Sequence, residues 1–194
     1  FRRVLFRSKR LDGIDEIIYS DSITPSFDYY CPLHSLPLAL GTTLKSIPKE
    51  NGYIKVDINK VMKWSSMLGN KNKIRLGITW SSDSNFEQDR SRSIRLENIL
   101  SAIPKDKFEI ICLQKVIKKE DQEVFIKSKL KFYGDQLSDI DDTASLISCL
   151  DIVLSTCTSI PHISASIGKP TWLMLQYVPD WRWLLNGEDS PWFE

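Results

Sequence analysis

The sequence is poor in residues that announce their chemistry on sight. It has only two histidines, His34 and His162, which stand alone, so no metal-ligand spacing is built on them. The four cysteines (Cys31, Cys112, Cys149 and Cys157) are widely spaced and include no CxxC pair. Three of them lie in or beside apolar segments, which suits small buried thiols better than zinc ligands or disulfides, and a reducing cytoplasm is the expected setting. Charge of one sign is also missing. The 26 Lys and Arg against 25 Asp and Glu leave a net charge of +1, which gives no drive towards nucleic acid or an anionic membrane. No apolar run approaches the ~20 residues of a membrane span. There is no GxGxxG after Trp80 and no GxxxxGKS/T anywhere, so the dinucleotide fingerprint and the P-loop are absent. No GxSxG elbow supports a serine nucleophile. Neither an internal repeat nor a low-complexity segment is visible.

What is present describes a soluble globular chain. Its 194 residues, 42% hydrophobic and 26% charged, suffice for one ordinary domain plus additional elements. Residues 151–172 organise the rest, reading as strand, loop, helix and strand. Ile152 to Leu154 is a short apolar strand, and Thr156 to Ser159 a hydroxyl-rich turn of the kind that caps a helix. Ile160 to Ile167 follows as a helix that tolerates Pro161 in its first turn. Gly168 stops it, Pro170 lies just beyond, and Thr171 to Leu175 is the next strand. A helix opening directly after a buried strand offers unpaired backbone N–H groups and a positive dipole end, which suit phosphate.

Along the chain, Phe1 to Arg10 carries four arginines and one lysine and is read as a truncated end or cloning remnant. Leu11 to Tyr19 reads as a turn and a short strand, and Phe27 to Pro37 as a strand or extended piece broken by two prolines. Ile47 to Tyr53 is a linker by composition. Lys60 to Leu68 places Val61, Trp64 and Leu68 on one helix face, closed by Gly69. Ile74 to Trp80 is a strand, Leu96 to Ile103 a helix, Phe108 to Leu113 a strand and Lys119 to Leu130 a charged helix. Lys131 to Tyr133 is a further candidate strand, Gly134 to Asp142 an acidic loop, and Thr143 to Leu150 a helix. From residue 74 the alternation predicts an α/β fold, a Rossmann-like doubly wound parallel sheet. Ligands bind such sheets at the carboxyl ends of the strands, where the strand order switches.

Three loops follow strand carboxyl ends and are expected to share one crevice. Ser81 to Ser93 holds Ser81, Arg90 and Arg92 beside Trp80. The second loop offers Gln114 and Lys115. The third offers Thr156, Cys157, Thr158, Ser159 and His162. Together these residues suit an anionic, hydroxyl-rich ligand such as a nucleotide diphosphate sugar. Plainer readings stand beside this one. Thr158 or a neighbour caps the helix in any protein, Arg90 and Arg92 fit a solvated loop, and Gln114 with Lys115 fits ordinary surface. His162 fits packing or a carbonyl hydrogen bond, and Cys157 an inert small residue. Trp181 and Trp183 read as packing at the sheet edge.

Four blocks carry a family resemblance: Phe27 to Pro37; Leu76 to Trp80 with Asp89 to Ile94; Ser155 to Trp172; and Val178 to Leu185 with Asp189 to Trp192. On these the chain resembles the C-terminal, donor-binding half of bacterial heptosyltransferase-like glycosyltransferases. The nearest version is the one related to O-linked N-acetylglucosamine transferase and often fused to tetratricopeptide repeats. The resemblance implies a GT-B fold, with residues 11–44 as the tail of an N-terminal domain plus linker and 45–194 as the nucleotide-sugar-binding domain. It implies metal-independent transfer of a hexosyl, heptosyl or N-acetylglucosaminyl group from a nucleotide diphosphate donor to a hydroxyl on a protein, lipid or glycan. No cofactor is implied. His162 and Arg92 would stabilise the leaving diphosphate, and a base on the N-terminal domain would deprotonate the acceptor. Two positions depart from the family pattern: Cys157 where an Asp is usual, and Glu87 where a Lys often stands. They motivate the alternative of an inactive nucleotide-sugar-binding or scaffold module.

Overall fold

A computed structural model describes residues 13–18, 23–48, 51–82, 89–185 and 189–193, with the side chains of Asp89 and Arg90 outside the description. Its centre is a sheet of four strands: β1 (Ile74–Thr79), β2 (Phe108–Cys112), β3 (Ile152–Thr156) and β4 (Thr171–Met174). All pairs are parallel, and the order is β2-β1-β3-β4. From β1 the chain moves outward to β2, then returns to the other side of β1 to lay down β3 and β4. The order therefore reverses between β1 and β3, which makes their carboxyl ends the switch point of a doubly wound sheet. The expected α/β Rossmann-like architecture is the one observed.

The described helices are α1 (Leu36–Ala39), α2 (Ile58–Leu68), α3 (Asp89–Arg92), α4 (Leu96–Ala102), α5 (Gln122–Ser128), α6 (Ile140–Ser148) and α7 (Ser159–Ser166). Two apolar clusters show that both faces of the sheet are covered. One joins Trp64 and Leu68 of α2 and Leu146 and Ile147 of α6 to Ile111 and Val153 of the sheet and Ile163 of α7. The other joins Leu96, Ile99 and Leu100 of α4 to Leu76, Ile78 and Trp80, with Val124 and Phe125 of α5 against them. A sheet covered on both sides needs apolar residues on both sides of each central strand. That is the pattern of β1, buried from Arg75 to Thr79. Gly77 is small for a reason: a Cβ there would strike the Leu150 and Leu113 side chains.

Helix ends follow local chemistry. Asp57 caps α2 through the N–H groups of Asn59 and Lys60, and Gly69 ends it at φ +72°. Asp139 and Asp142 form a capping box that starts α6 at Ile140, inside the segment expected to be loop. The strand expected at 131–133 is absent; Tyr133 is buried against Trp64 instead, and a 3-10 turn follows at Gly134–Gln136. The 119–130 segment splits into a 3-10 turn, Lys119–Asp121, and α5.

The region before residue 49 differs from the expectation of strand. Residues 13–18 form no strand, and Leu11, Asp12 and Tyr19 lie outside the described residues. Residues 23–32 run without regular structure into a 3-10 turn at Leu33–Ser35 and then α1, with Pro37 in its first turn. No described residue from 13 to 48 is buried. Phe27 to Cys31, read as a strand or extended piece, has no strand beside it among the described residues to supply ladder hydrogen bonds. All four cysteines are free, and burial pushes the Cys112 thiol up to about 12. Among the described residues no helix is long and apolar enough to cross a membrane.

Candidate functional site

At the switch point the two central strands end in hydroxyls that face each other. Thr79 on β1 and Ser155 on β3 are register partners, and their side-chain oxygens lie 2.6 Å apart in a fully buried pair. Ser155 Oγ donates to the Thr156 carbonyl at 2.8 Å. Beyond this bridge the chain leaves β1 towards α3 and leaves β3 towards α7. The two exits form the lips of the crevice.

The β3 lip is short because α7 begins at Ser159. Thr158 is its N-cap, its Oγ1 accepting from the Ile160 N–H at 3.3 Å. Pro161 falls where an α-helix has no intrahelical use for an N–H, so its missing donor costs nothing. The first-turn N–H groups and the helix dipole favour negative charge here. Arg92, the last residue of α3, reaches across from the β1 lip and donates from Nη1 to the Cys157 carbonyl at 3.0 Å. A guanidinium and a helix N-terminus are thereby held side by side.

A cavity of about 330 Å³ opens beside this contact. Arg92 and Cys157 line it from the lips; Leu175, Gln176, Val178, Pro179, Asp180 and Trp181 line it from the segment after β4. That segment turns back over α7 through a 3-10 turn at Trp181–Trp183. The Trp183 ring stacks on His162 with centroids 5.1 Å apart, and its indole N–H donates to Cys157 Sγ at 3.2 Å. Phe193 packs against the same imidazole at 5.9 Å. Asp180 accepts from the Arg182 backbone N–H and guanidinium. Partial burial works against ionisation of Asp180, but these bonds and the positive charges of Arg182 and His162 outweigh it and hold the carboxyl below its ordinary value.

Eight of the sequence-nominated residues therefore sort into two groups. Arg92, Cys157, Thr158, Ser159 and His162 meet at the β3 lip. Trp80, Ser81 and Gln114 sit under the β1 lip and are engaged with one another. The Trp80 side chain is fully buried in the core, and its indole N–H donates to Asp121 at 2.9 Å. Gln114 is buried, accepts from the N–H groups of Trp80 and Ser81, and donates to Ser81 Oγ and the Val116 carbonyl. Thr156 is fully buried, with no hydrogen-bond partner for Oγ1 among the described residues. Lys115 is exposed. The Arg90 side chain and Glu87 lie outside the described residues. The Trp183 ring stacks on His162, and Trp181 is two-thirds exposed, with its ring edge-on to Trp192 and under the Arg182 guanidinium. Asp121, Gln176 and Asp180 were not nominated. In the sequence Asp121 sits in a Lys-Lys-Glu-Asp run that reads as solvated surface, and only its burial gives it away.

No family model matches the chain. It is similar to Protein FlbA of Caulobacter vibrioides, 22% identical over 174 residues, covering 86% of this chain and 29% of FlbA. Among solved structures it is similar to E. coli ADP-heptose LPS heptosyltransferase II, with a TM-score of 0.43 and 10% identity over 66% of this chain and 41% of that one. The chain thus spans less than half the length of each.

Proposed function

We propose that this chain is the donor-binding half of a GT-B glycosyltransferase, which transfers a sugar from a nucleotide diphosphate to a hydroxyl acceptor. One observation carries the reading: at the switch point of the sheet, the Arg92 guanidinium is held against the turn that opens α7, beside a cavity. Positive charge from a side chain and from a helix end converges where this fold class binds ligands. The four sequence blocks that resemble heptosyltransferase-like enzymes support the same assignment. Residues 11–44 then belong to a preceding domain and linker.

In the proposed mechanism the donor diphosphate lies across the α7 N-terminus, and Arg92 forms forked hydrogen bonds to its oxygens. As the glycosidic bond breaks, negative charge grows on the leaving diphosphate. Fixed donors stabilise that charge without reorganising, so no metal is required for this step. His162, in the first turn of α7, adds a ring donor; its stacking on Trp183 fixes the plane of the imidazole. The base that takes the acceptor proton comes from the preceding domain.

Calorimetric titration with UDP, ADP and GDP in metal-free buffer tests the assignment. The expected result is binding of one nucleotide in the micromolar to millimolar range, weakened by His162→Ala. A folded chain that binds none of the three overturns it. A second reading, an inactive nucleotide-sugar-binding module, is favoured by Cys157, whose sulfur is engaged by Trp183 where the resembled enzymes usually carry a carboxylate. It predicts the same binding without sugar transfer once the preceding domain is present.

A further inference from the structure

We infer that Asp121 is the positioning residue for Arg92: its buried carboxylate fixes both ends of the segment that carries the guanidinium, without touching the ligand. This rests on the donor-site reading above only for its effect on affinity.

Asp121 occupies the N-cap position of α5, where an aspartate ordinarily accepts from its own helix. Here it makes no such bond. Its oxygens turn to the neighbouring strand and helix instead. Oδ2 accepts from the Trp80 indole N–H at 2.9 Å, at the start of the segment. Oδ1 accepts from the Leu96 backbone N–H at 3.2 Å, at its end. Leu96 is the first residue of α4, whose own N-cap, Arg95, has no acceptor on its side chain and makes no cap bond. Asp121 therefore caps α4 from another element. The Arg95 Nε lies 3.3 Å from Oδ1 and compensates the charge, which is needed because the carboxylate is 2% exposed. A backbone bond from the Ile94 N–H to the Trp80 carbonyl, 2.8 Å, closes the same span. The two ends of residues 80–96 are thus pinned to one carboxylate, and Arg92 is four residues from the second pin.

The chemistry requires both oxygens. Asparagine keeps one acceptor and replaces the other with a donor, so one pin must open. The core beneath, built on α4 and β1, is left in place. Arg92 then loses its fixed distance to the Cys157 carbonyl and to whatever anion lies at α7.

Two measurements on the full chain test this, with Asp121→Asn, Arg92→Ala and the double variant. The first is amide hydrogen exchange without ligand. Asp121→Asn is expected to speed exchange at Leu96 and across residues 91–95, leaving 159–166 unchanged. Unaltered exchange at 91–96 overturns the inference whatever the chain binds. The second is calorimetry with ADP, UDP and GDP. Asp121→Asn is expected to raise the Kd of the best nucleotide about tenfold in the parent chain and less than about twofold in the Arg92→Ala background. Equal losses in both backgrounds overturn the inference, because the carboxylate then acts otherwise than through Arg92. Altered exchange in a chain that binds none of the nucleotides sinks the donor reading and leaves the clamp standing. If Asp121→Asn does not fold, Trp80→Phe removes the first pin while keeping an aromatic ring, and carries the same test.

Discussion

The two lips of the crevice differ in what their polar groups do. On the β1 side, the Gln114 and Asp121 side chains are committed to partners within the protein. Gln114 holds the N–H groups of Trp80 and Ser81, and Asp121 holds the Trp80 indole and the α4 N-terminus. On the β3 side, Thr156 Oγ1 has no partner among the described residues, and the α7 N-terminus has a single side-chain cap. The β1 lip sets an amide and an indole beside its hydroxyls, whereas Thr156, Thr158 and Ser159 give the β3 lip hydroxyls beside the imidazole of His162. The lips differ further in how these groups are partnered. A group whose hydrogen bonds are satisfied within the protein gains little from a ligand, and removing it leaves buried partners unmatched. The described side chains of the β1 lip are accordingly committed to the fold as a frame, and under the proposed function the β3 lip, with Arg92 reaching across to it, is the side that meets the donor.

The largest expected effect breaks the frame. Trp80→Ala removes a fully buried indole and strands the Asp121 carboxylate, and the loss of a large core aromatic costs about 3–5 kcal/mol. Urea unfolding should show the midpoint falling without a change in slope. A cost under about 1 kcal/mol would mean that Trp80 is not a core element and would return it to the binding surface. Gln114→Ala comes next. It leaves the Trp80 and Ser81 N–H groups and Ser81 Oγ short of partners, a penalty of about 1–3 kcal/mol in the same experiment. A Gln114→Ala chain of unchanged stability but weakened nucleotide binding would reverse the assignment of the two lips.

Arg92→Ala is the opposite case. Its bond to the Cys157 carbonyl joins the lips at their partly open edge, so the stability change should stay below about 1 kcal/mol. Nucleotide Kd should rise by about tenfold or more, since a charge-assisted contact to phosphate is lost. Calorimetry on a variant with an unchanged urea midpoint separates the two quantities. A large stability loss with no change in Kd would place Arg92 in the frame.

The sheet was legible in the sequence because its signals are local. Leu76 to Thr79 and Ile152 to Leu154 are apolar runs too short for helices, and the stops at Gly69 and Gly168 fall where read. The strand order was not legible, since it depends on which edge each crossover takes. The start of α6 was missed because Ser138 to Asp142 is acidic and looks like loop; the capping box that makes it a helix start is visible only once Asp139 and Asp142 are paired. Within the site, residue types were legible and partnerships were not. Gln114 in sequence is an amide after a strand; only the fold shows that its hydrogen bonds go to Trp80 and Ser81, just beyond β1, and to the Val116 carbonyl. The stacking of Trp183 on His162 joins residues from two elements that no spacing rule connects.

The smallest expected effect tests whether the division between lips is local. Asp139 at the start of α6 is remote from both lips and accepts from the Asp142 N–H at 2.7 Å and from Lys60 Nζ at 2.8 Å. Burial would raise its carboxyl, but the Lys60 and Asp142 hydrogen bonds outweigh that and hold it below its ordinary value of 3.8. A depressed carboxyl contributes fully above the unfolded value, and the contribution is lost as pH falls from about 4 through the folded value. Lys60 mirrors this at the alkaline end. Burial lowers its affinity for the proton, the two carboxylates more than restore it, and its share is lost as pH rises past 10.5. The pair is partly exposed, so most of the effect comes from the cap, worth about 1 kcal/mol in Asp139→Ala. Asp139→Asn keeps an acceptor and should cost less at neutral pH while flattening the acid limb of the stability curve. Neither variant should alter nucleotide Kd. A shift in Kd would show that α6 reaches the crevice through the sheet, and the frame would then extend beyond the β1 lip.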